Sequence, residues 1–593
     1  MKFAKLPGPL FTTLLFFAIF FTHLAVGWAR AADDLLLTMG NDSAMRLVQV
    51  RDLLAGQPWR DLHQHRLGLP SHSVEMHWSR IVDAILAAKI LLSKLFTTPE
   101  GAERAALILW PSLWFSVAIC SSTVAGYLLA GRYGALYTFA LFGATNILNA
   151  HFQPGNIDHH NIQIALLALS VSGFLGRHRS SVFPIISAAA VAVSIHIGSE
   201  ILPLMALVTL AYAITWANDN NLNRPVSCFF ATLIAATLLI FATTVPYSAY
   251  RGGFCDAPSL DLVLPVVLFS GIMCFANIFH LNTSTRRTLY LGGAAASTLF
   301  LTILFFPACL SNPLTELPAD LNQYWLSHVS EARSLAEYTV SSDRPYSAGF
   351  WVLGVISIVA SSLMLTNNEK RTDLILLIFV SLILLIATAY QIRFVIFLMI
   401  TTPIMLGYAA STLKKQERAG VLKWGGVQAM LLVLIAVPQT WMVAHSYFLS
   451  ADGTAADRPA GHSECVTDRA FQELAELPPG LVSTTSNLGA HVLLHTPHAT
   501  LSAPYHRNVA GMLNQLKIAL AQSAEDAENL LLDAGVDYIV LCTEDPEIKI
   551  VRRSDQATSW MERVLTEGAK ISNFKLHTHS ETLAIYKREG LSL

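Results

Sequence analysis

Apolar windows long enough to cross a bilayer recur along this chain, and that repetition excludes most folds at once. The hydrocarbon core offers the backbone no water, so a crossing segment must close its own hydrogen bonds as a helix. Windows near residues 8–30, 103–130, 134–150, 161–176, 181–197, 201–217, 226–246, 262–280, 288–310, 349–366, 372–390, 393–412 and 424–444 have that character. They predict a polytopic α-helical membrane protein with about 13 transmembrane helices. Only 13% of the 593 residues are charged, against about 25% in soluble chains. A net charge of −2 supplies no basic surface for nucleic acid.

The first window ends at Ala29-Arg30-Ala31, which imitates a signal-peptide cleavage site. The chain beyond it is itself a membrane protein, so the window is expected to stay as the first helix. Basic residues then orient the chain. Arg132, Arg177, Arg179, Arg224, Arg286, Arg287, Arg371, Lys414, Lys415, Arg418 and Lys423 all fall in alternate loops. These loops and the N-terminus are expected on the cytoplasmic side, and an odd helix count sends the C-terminus to the outer side.

Three outer segments, 31–101, 151–160 and 311–348, are unusually polar. In the first, Met76, Trp78, Ile81, Val82, Ile85 and Leu86 are spaced as on a helix. Helices along the membrane surface are expected there, with Lys89 and Lys94 toward the headgroups. The membrane part is read as 1–445. Residues 446–593 have the composition of a soluble unit, predicted as a small α/β extracytoplasmic domain whose last two strands pair around Ser580-Glu581. Cys465 and Cys542 fall in it and would be free to pair in an oxidising compartment.

The chemistry-bearing residues stand where helices meet the outer side. Asp42, in Thr38–Arg51 (TMGNDSAMRLVQVR), suits a base, a metal ligand or an N-cap. As a cap it would start a helix over Ser43–Leu54, with Arg46 and Arg51 on the wet face. Asp158 and His160 are two apart, so on extended chain their side chains point the same way. A carboxylate and an imidazole so placed suit a divalent cation such as Mn²⁺ or Mg²⁺, with Asp42 as a further ligand. The alternative is a polar loop with interfacial histidines, among them His159. Glu331 is a candidate acid, or a solvated helix residue near Arg333. Arg393, at an outer helix start, either snorkels or holds an anion such as phosphate. His196 and Glu200 lie at another outer helix end, where Glu200 reads as a wet loop residue. Tyr505, His506 and Arg507 are suited to meet a sugar or phosphate, and equally to form a surface turn.

Taken in order, Gly40-Asn41-Asp42, Gly155-Asn156-Ile157-Asp158-His159-His160, His328-Val329-Ser330-Glu331 and Gln391-Ile392-Arg393-Phe394 resemble four motifs of the oligosaccharyltransferase catalytic-subunit family. The resemblance implies a GT-C membrane fold of thirteen helices with an outer C-terminal domain. It implies a polyprenyl-phosphate or polyprenyl-diphosphate sugar as donor. It also implies Asp42 as base or metal ligand, Asp158 and His160 as metal ligands, Arg393 on the donor phosphate and Glu331 on a mobile loop over the acceptor. One motif is missing. Where the family has W-W-D-Y-G, which reads the hydroxyl residue of a peptide acceptor, this chain has Thr484-Thr485-Ser486-Asn487-Leu488-Gly489.

The expected activity is therefore glycosyl transfer from a polyprenyl carrier to a non-peptide acceptor, such as an envelope glycan, glycolipid or polysaccharide. A Gram-negative bacterial inner membrane, with a periplasm and polyprenyl carriers, suits it. Oligosaccharyl transfer to protein is the second reading. A transporter or lipid flippase is the third; its path would place ionisable residues near the bilayer midplane, whereas here they stand at outer helix ends.

Overall fold

The computed structural model describes residues 9–590 except 32–34, 37–38, 280, 311–316, 342–346, 366–370, 438, 442–464, 546, 549, 551–559, 568–570 and 580–582. The expected boundary at 445/446 and the turn at Ser580-Glu581 lie outside the described residues.

Among the described residues, six helices are long and apolar enough to cross a membrane: Thr12–Arg30, Pro99–Ala130, Asn223–Thr244, Ser284–Phe305, Arg371–Tyr390 and Ile392–Arg418. Shorter apolar helices occupy Val182–Ile195, Leu202–Asn218, Leu260–Phe275, Gly349–Leu363 and Gly425–Ala436. Arg132–Ala144 and His159–Gly176 are helical as well, so each expected window contains a helix. The helix Val395–Arg418 is buried on all sides through most of its length, as its largely apolar sequence before Lys414 requires. Glycine makes its close packing possible. A Cβ on Gly407 would stand 2.4 Å from Thr138 Oγ1, and one on Gly134 would stand 2.5 Å from the Gly126 carbonyl. A charge buried between helices needs a partner; Arg177 finds Asp373 at 2.6 Å.

The helix Asn41–Leu54 packs between the helix Arg80–Ser93 and the helix Ser486–His495. That sandwich overturns the expected wet face. Arg46 is buried, pairing with Asp83 at 2.8 Å and lying 4.4 Å over the Trp78 ring. Arg80–Ser93 ends in exposed Leu91, Leu92, Leu95 and Phe96, an apolar tip suited to a bilayer surface. Lys89 does not turn to the headgroups; it donates to the Leu109 carbonyl at 3.3 Å.

Two short strands, β1 (His63–Gln64) and β2 (Val74–Glu75), pair antiparallel in the first outer segment. The C-terminal part builds a five-stranded sheet from β3 (Leu481–Ser483), β4 (Ala499–Thr500), β5 (Tyr538–Cys542), β6 (Phe574–His579) and β7 (Leu583–Arg588), in the order β4-β3-β5-β7-β6. β4, β3 and β5 run parallel, while β7 and β6 are antiparallel. The first outer segment prolongs this sheet. Thr500 N donates to the Arg66 carbonyl and Gly68 N to the Thr500 carbonyl, both at 2.9 Å. Gly68 has φ +97°, a conformation few other residues adopt. Arg51 donates to the Leu494 carbonyl at 2.7 Å and Arg66 to the Leu493 carbonyl at 3.1 Å. They satisfy the orphan carbonyls at the end of Ser486–His495. The sheet is thus bolted to the segment that carries Asp42.

Two disulfides form among the described residues. Cys465–Cys542 ties the start of the C-terminal part to β5, and Cys255–Cys309 joins two outer segments 54 residues apart.

Candidate active site at the outer helix ends

Asp158 is the N-cap of the helix His159–Gly176 and accepts from the His159 amide at 2.5 Å. With the cap carboxylate fixed, the first turn brings both imidazoles back to it. His160 Nδ1 pairs with Asp158 Oδ2. His159 Nδ1 lies 2.5 Å from Asp158 Oδ1. The other nitrogen of His159, Nε2, is 2.7 Å from Glu200 Oε1, and Gln163 Nε2 donates to the same oxygen at 2.9 Å. Glu200 is therefore not the wet loop residue expected. It sits beside the helix as the orienting carboxylate of His159. His196 instead pairs its Nδ1 with the Ala192 carbonyl at 2.8 Å.

Asp42 arrives from the other side. The helix Asn41–Leu54 is capped by Gly40 without a side-chain bond, so Asp42 lies in the first turn and its carboxyl group is not used as the cap. Ser43 Oγ accepts from the Ile157 amide at 3.1 Å, which holds this helix start against the Asp158 loop. Burial first, and the negative charge of Asp158 next, push the Asp42 carboxyl up to about 7. His159 and His160 oppose that shift, while Glu331 adds to it. Burial also raises Asp158, but the flanking imidazoles prevail and hold its carboxyl well below the usual range. Two carboxyl groups in one site are so driven apart, one firmly ionised and the other near neutrality. From the C-terminal part, the Tyr505 hydroxyl donates to the Asn41 carbonyl at 2.9 Å. Burial, then the Asp42 and Asp158 carboxylates, hold its phenol well above the ordinary value.

The structure thus brings Asp42, Asp158, His159, His160 and Glu331 into one electrostatic environment. Glu331 is exposed, on the short turn Ser330–Ala332. That turn packs on Ile392–Phe394, where the Ile392 amide donates to the Arg333 carbonyl at 2.9 Å. Arg393 thereby stands beside the Glu331 loop, its Nε buried without a hydrogen-bond partner. His506 and Arg507 go elsewhere. His506 Nε2 lies 2.7 Å from Asp256, and Arg507 grips the same carboxylate through two bonds of 2.7 Å. Their donors clamp the C-terminal part to the loop before Leu260–Phe275.

Asp158, His159 and His160 present ligand atoms within 4.8 Å of one another. The set fits a divalent cation. It combines a carboxylate with imidazoles, and carboxylates stand at both nitrogens of His159, Asp158 at Nδ1 and Glu200 at Nε2. A second group, His77, Asp256 and His506, is as tight, but Arg507 and His506 already occupy both Asp256 oxygens.

No protein-family model and no curated protein sequence matches this chain. Solved structures do. The apo oligosaccharyltransferase of Archaeoglobus fulgidus superposes with a TM-score of 0.67 at 13% identity, over 96% of this chain and 80% of that one. The same archaeal enzyme with an inhibitory peptide and a dolichol-phosphate gives 0.63 at 13% identity, over 96% and 80%. Its complex with Zn and sulfate gives 0.60 at 13% identity, over 91% and 75%. The chain has the GT-C membrane fold of these oligosaccharyltransferases, with a small C-terminal sheet region.

Proposed function

We propose that this protein is a membrane glycosyltransferase that moves a sugar from a polyprenyl-phosphate or polyprenyl-diphosphate carrier onto an envelope glycan, glycolipid or polysaccharide. The observation that carries the reading is the convergence of Asp42 with Asp158, His159 and His160 at the outer helix ends of a GT-C fold. The solved neighbours bind a dolichol-phosphate in one case and Zn with sulfate in another, which supports a lipid-phosphate donor and a cation here.

In the transfer, an acceptor hydroxyl attacks the anomeric carbon and the bond from that carbon to the carrier phosphate breaks. Asp42 takes the hydroxyl proton. Arg393 receives the departing phosphate, since its buried Nε lacks a partner and guanidinium matches phosphate geometry. Asp158, His159 and His160 would hold a divalent cation, with Asp42 at its edge; such an ion neutralises developing phosphate charge. Glu331, on the loop packed against Arg393, closes over the acceptor.

The site's face is assigned to the periplasm of a bacterial inner membrane. Both disulfides lie on this side, whereas Cys120, Cys228 and Cys274 are unpaired within apolar helices; disulfides persist in oxidising compartments. A non-peptide acceptor is favoured by Thr484–Gly489, which has neither the tryptophans nor the aspartate of a sequon reader. The test is mass spectrometry of envelope glycans, lipids and glycopeptides from cells with wild type, a deletion or Asp42→Ala. A sugar-sized loss from an envelope glycan in both mutants is expected. A loss confined to glycopeptides would reassign the acceptor to protein, and a wild-type envelope with Asp42→Ala would remove the catalytic role.

A further inference from the structure

Away from the metal-ligand group, the fifth outer loop docks on the C-terminal part and leaves a cleft between them. Leu317 and Leu321 pack on Met512 of the helix Val509–Ala519. Tyr324 and Trp325 line it, as do Ser486, Ser502, Gln515 and Glu547, which supply polar groups. A mostly apolar cleft with a few convergent polar groups is the usual form of a small-ligand site.

The polar groups divide into two sets. The first is satisfied within the protein. Asp545 accepts from Thr485 Oγ1 and from Asn487 Nδ2, and Glu547 accepts from Ser486 Oγ at 2.6 Å. Together they secure the start of the helix Ser486–His495. The second set is not satisfied. Ser483 Oγ donates to Gln515 Oε1 at 2.8 Å, which fixes the amide and leaves Gln515 Nε2 as the remaining donor. That Nε2 and Ser502 Oγ have no hydrogen-bond partner, although their residues are 3% and 1% exposed. Buried polar groups left unmatched are costly, and both of these line the cleft.

From this we infer that the cleft is a subsite for a sugar ring of the acceptor, with Trp325 and Tyr324 against the ring's C–H face and Gln515 Nε2 and Ser502 Oγ on its hydroxyls. A pyranose offers that combination: an apolar face wide enough for an aromatic and several hydroxyls at its edge. The subsite deepens the proposed glycosyl transfer and rests on it for calling the sugar an acceptor. It also has a mechanical link to the site. Trp325 and Glu331 belong to one loop, joined through the short turns Leu326–His328 and Ser330–Ala332, so a ring held by Trp325 fixes the loop that bears Glu331.

The test is saturation-transfer NMR on the purified full-length protein in nanodiscs, using methyl hexosides as probes and an Asn-Ala-Thr tripeptide as control. Transfer to a hexoside is expected, reduced at least fivefold in both Gln515→Leu and Trp325→Ala. Thermal melting shows whether each variant is folded; if Gln515→Leu is not, Ser502→Ala takes its place. No transfer to any hexoside, transfer indifferent to the folded variants, or transfer to the tripeptide alone would overturn the subsite. Hexoside binding lost in Gln515→Leu, together with a wild-type envelope in Asp42→Ala cells, would keep the subsite and reject the catalytic reading.

Discussion

His159 Nε2 lies 2.7 Å from Glu200 Oε1 across 41 residues of sequence, and the bond leaves His159 Nδ1 facing Asp158. Glu200 thus decides which imidazole nitrogen is presented to the site. Glu200→Ala should lower transfer activity or metal affinity by about 10–100-fold, the usual effect of losing an orienting carboxylate. A metal titration against activity checks this. Activity equal to wild type at all metal concentrations would show that the ring needs no such support.

Asp256 anchors both His506 and Arg507. Asp256→Ala leaves a largely buried guanidinium without its carboxylate and should destabilise the protein by about 1.5–3 kcal/mol. Limited proteolysis should then release the C-terminal part sooner than in wild type, and an unchanged digestion pattern would count against the clamp.

Burial, then the neighbouring Asp545 charge, raise the Glu547 carboxyl from 4.5 to about 7. A carboxyl group whose pKa is raised by folding stabilises fully below its unfolded value and loses that contribution as pH rises through the folded one. Melting temperature should therefore fall between pH 4.5 and 7 through this group. Glu547→Gln should flatten that slope; a slope as steep as wild type would place its origin elsewhere.

The Cys465–Cys542 bridge closes a loop across 77 residues. By chain entropy such a closure stabilises by about 4 kcal/mol. Cys465→Ser with Cys542→Ser should lower the melting temperature of the C-terminal part while leaving the spectrum of the membrane helices unchanged. Equal melting with and without the bridge would sink this account.

The helices were legible because the bilayer dictates them: nothing but an apolar helix satisfies the windows at 103–130 or 393–412. Asp42, Asp158 and His160 could be picked out as candidates because a charge at a helix mouth is rare enough to notice, and the structure brings them near one another. Glu200 was not, since its partner His159 lies far off in sequence and Gly198-Ser199-Glu200 looks like any wet turn. Arg46 failed for a related reason. Its spacing gave a solvent face, but Asp83 and Trp78 cover it from another helix and the segment before it. Cys255 and Cys309 carry no spacing signal, and only the packing of two outer segments reveals their bond.

The hydroxyl of Tyr505 reaches the Asn41 carbonyl across 464 positions. During synthesis the Asp42 segment emerges well before Tyr505. A nascent chain that has not yet reached Tyr505 accordingly holds its Asp42 segment without that hydrogen bond, and the contact forms only once the C-terminal part has folded back onto a segment made hundreds of residues earlier.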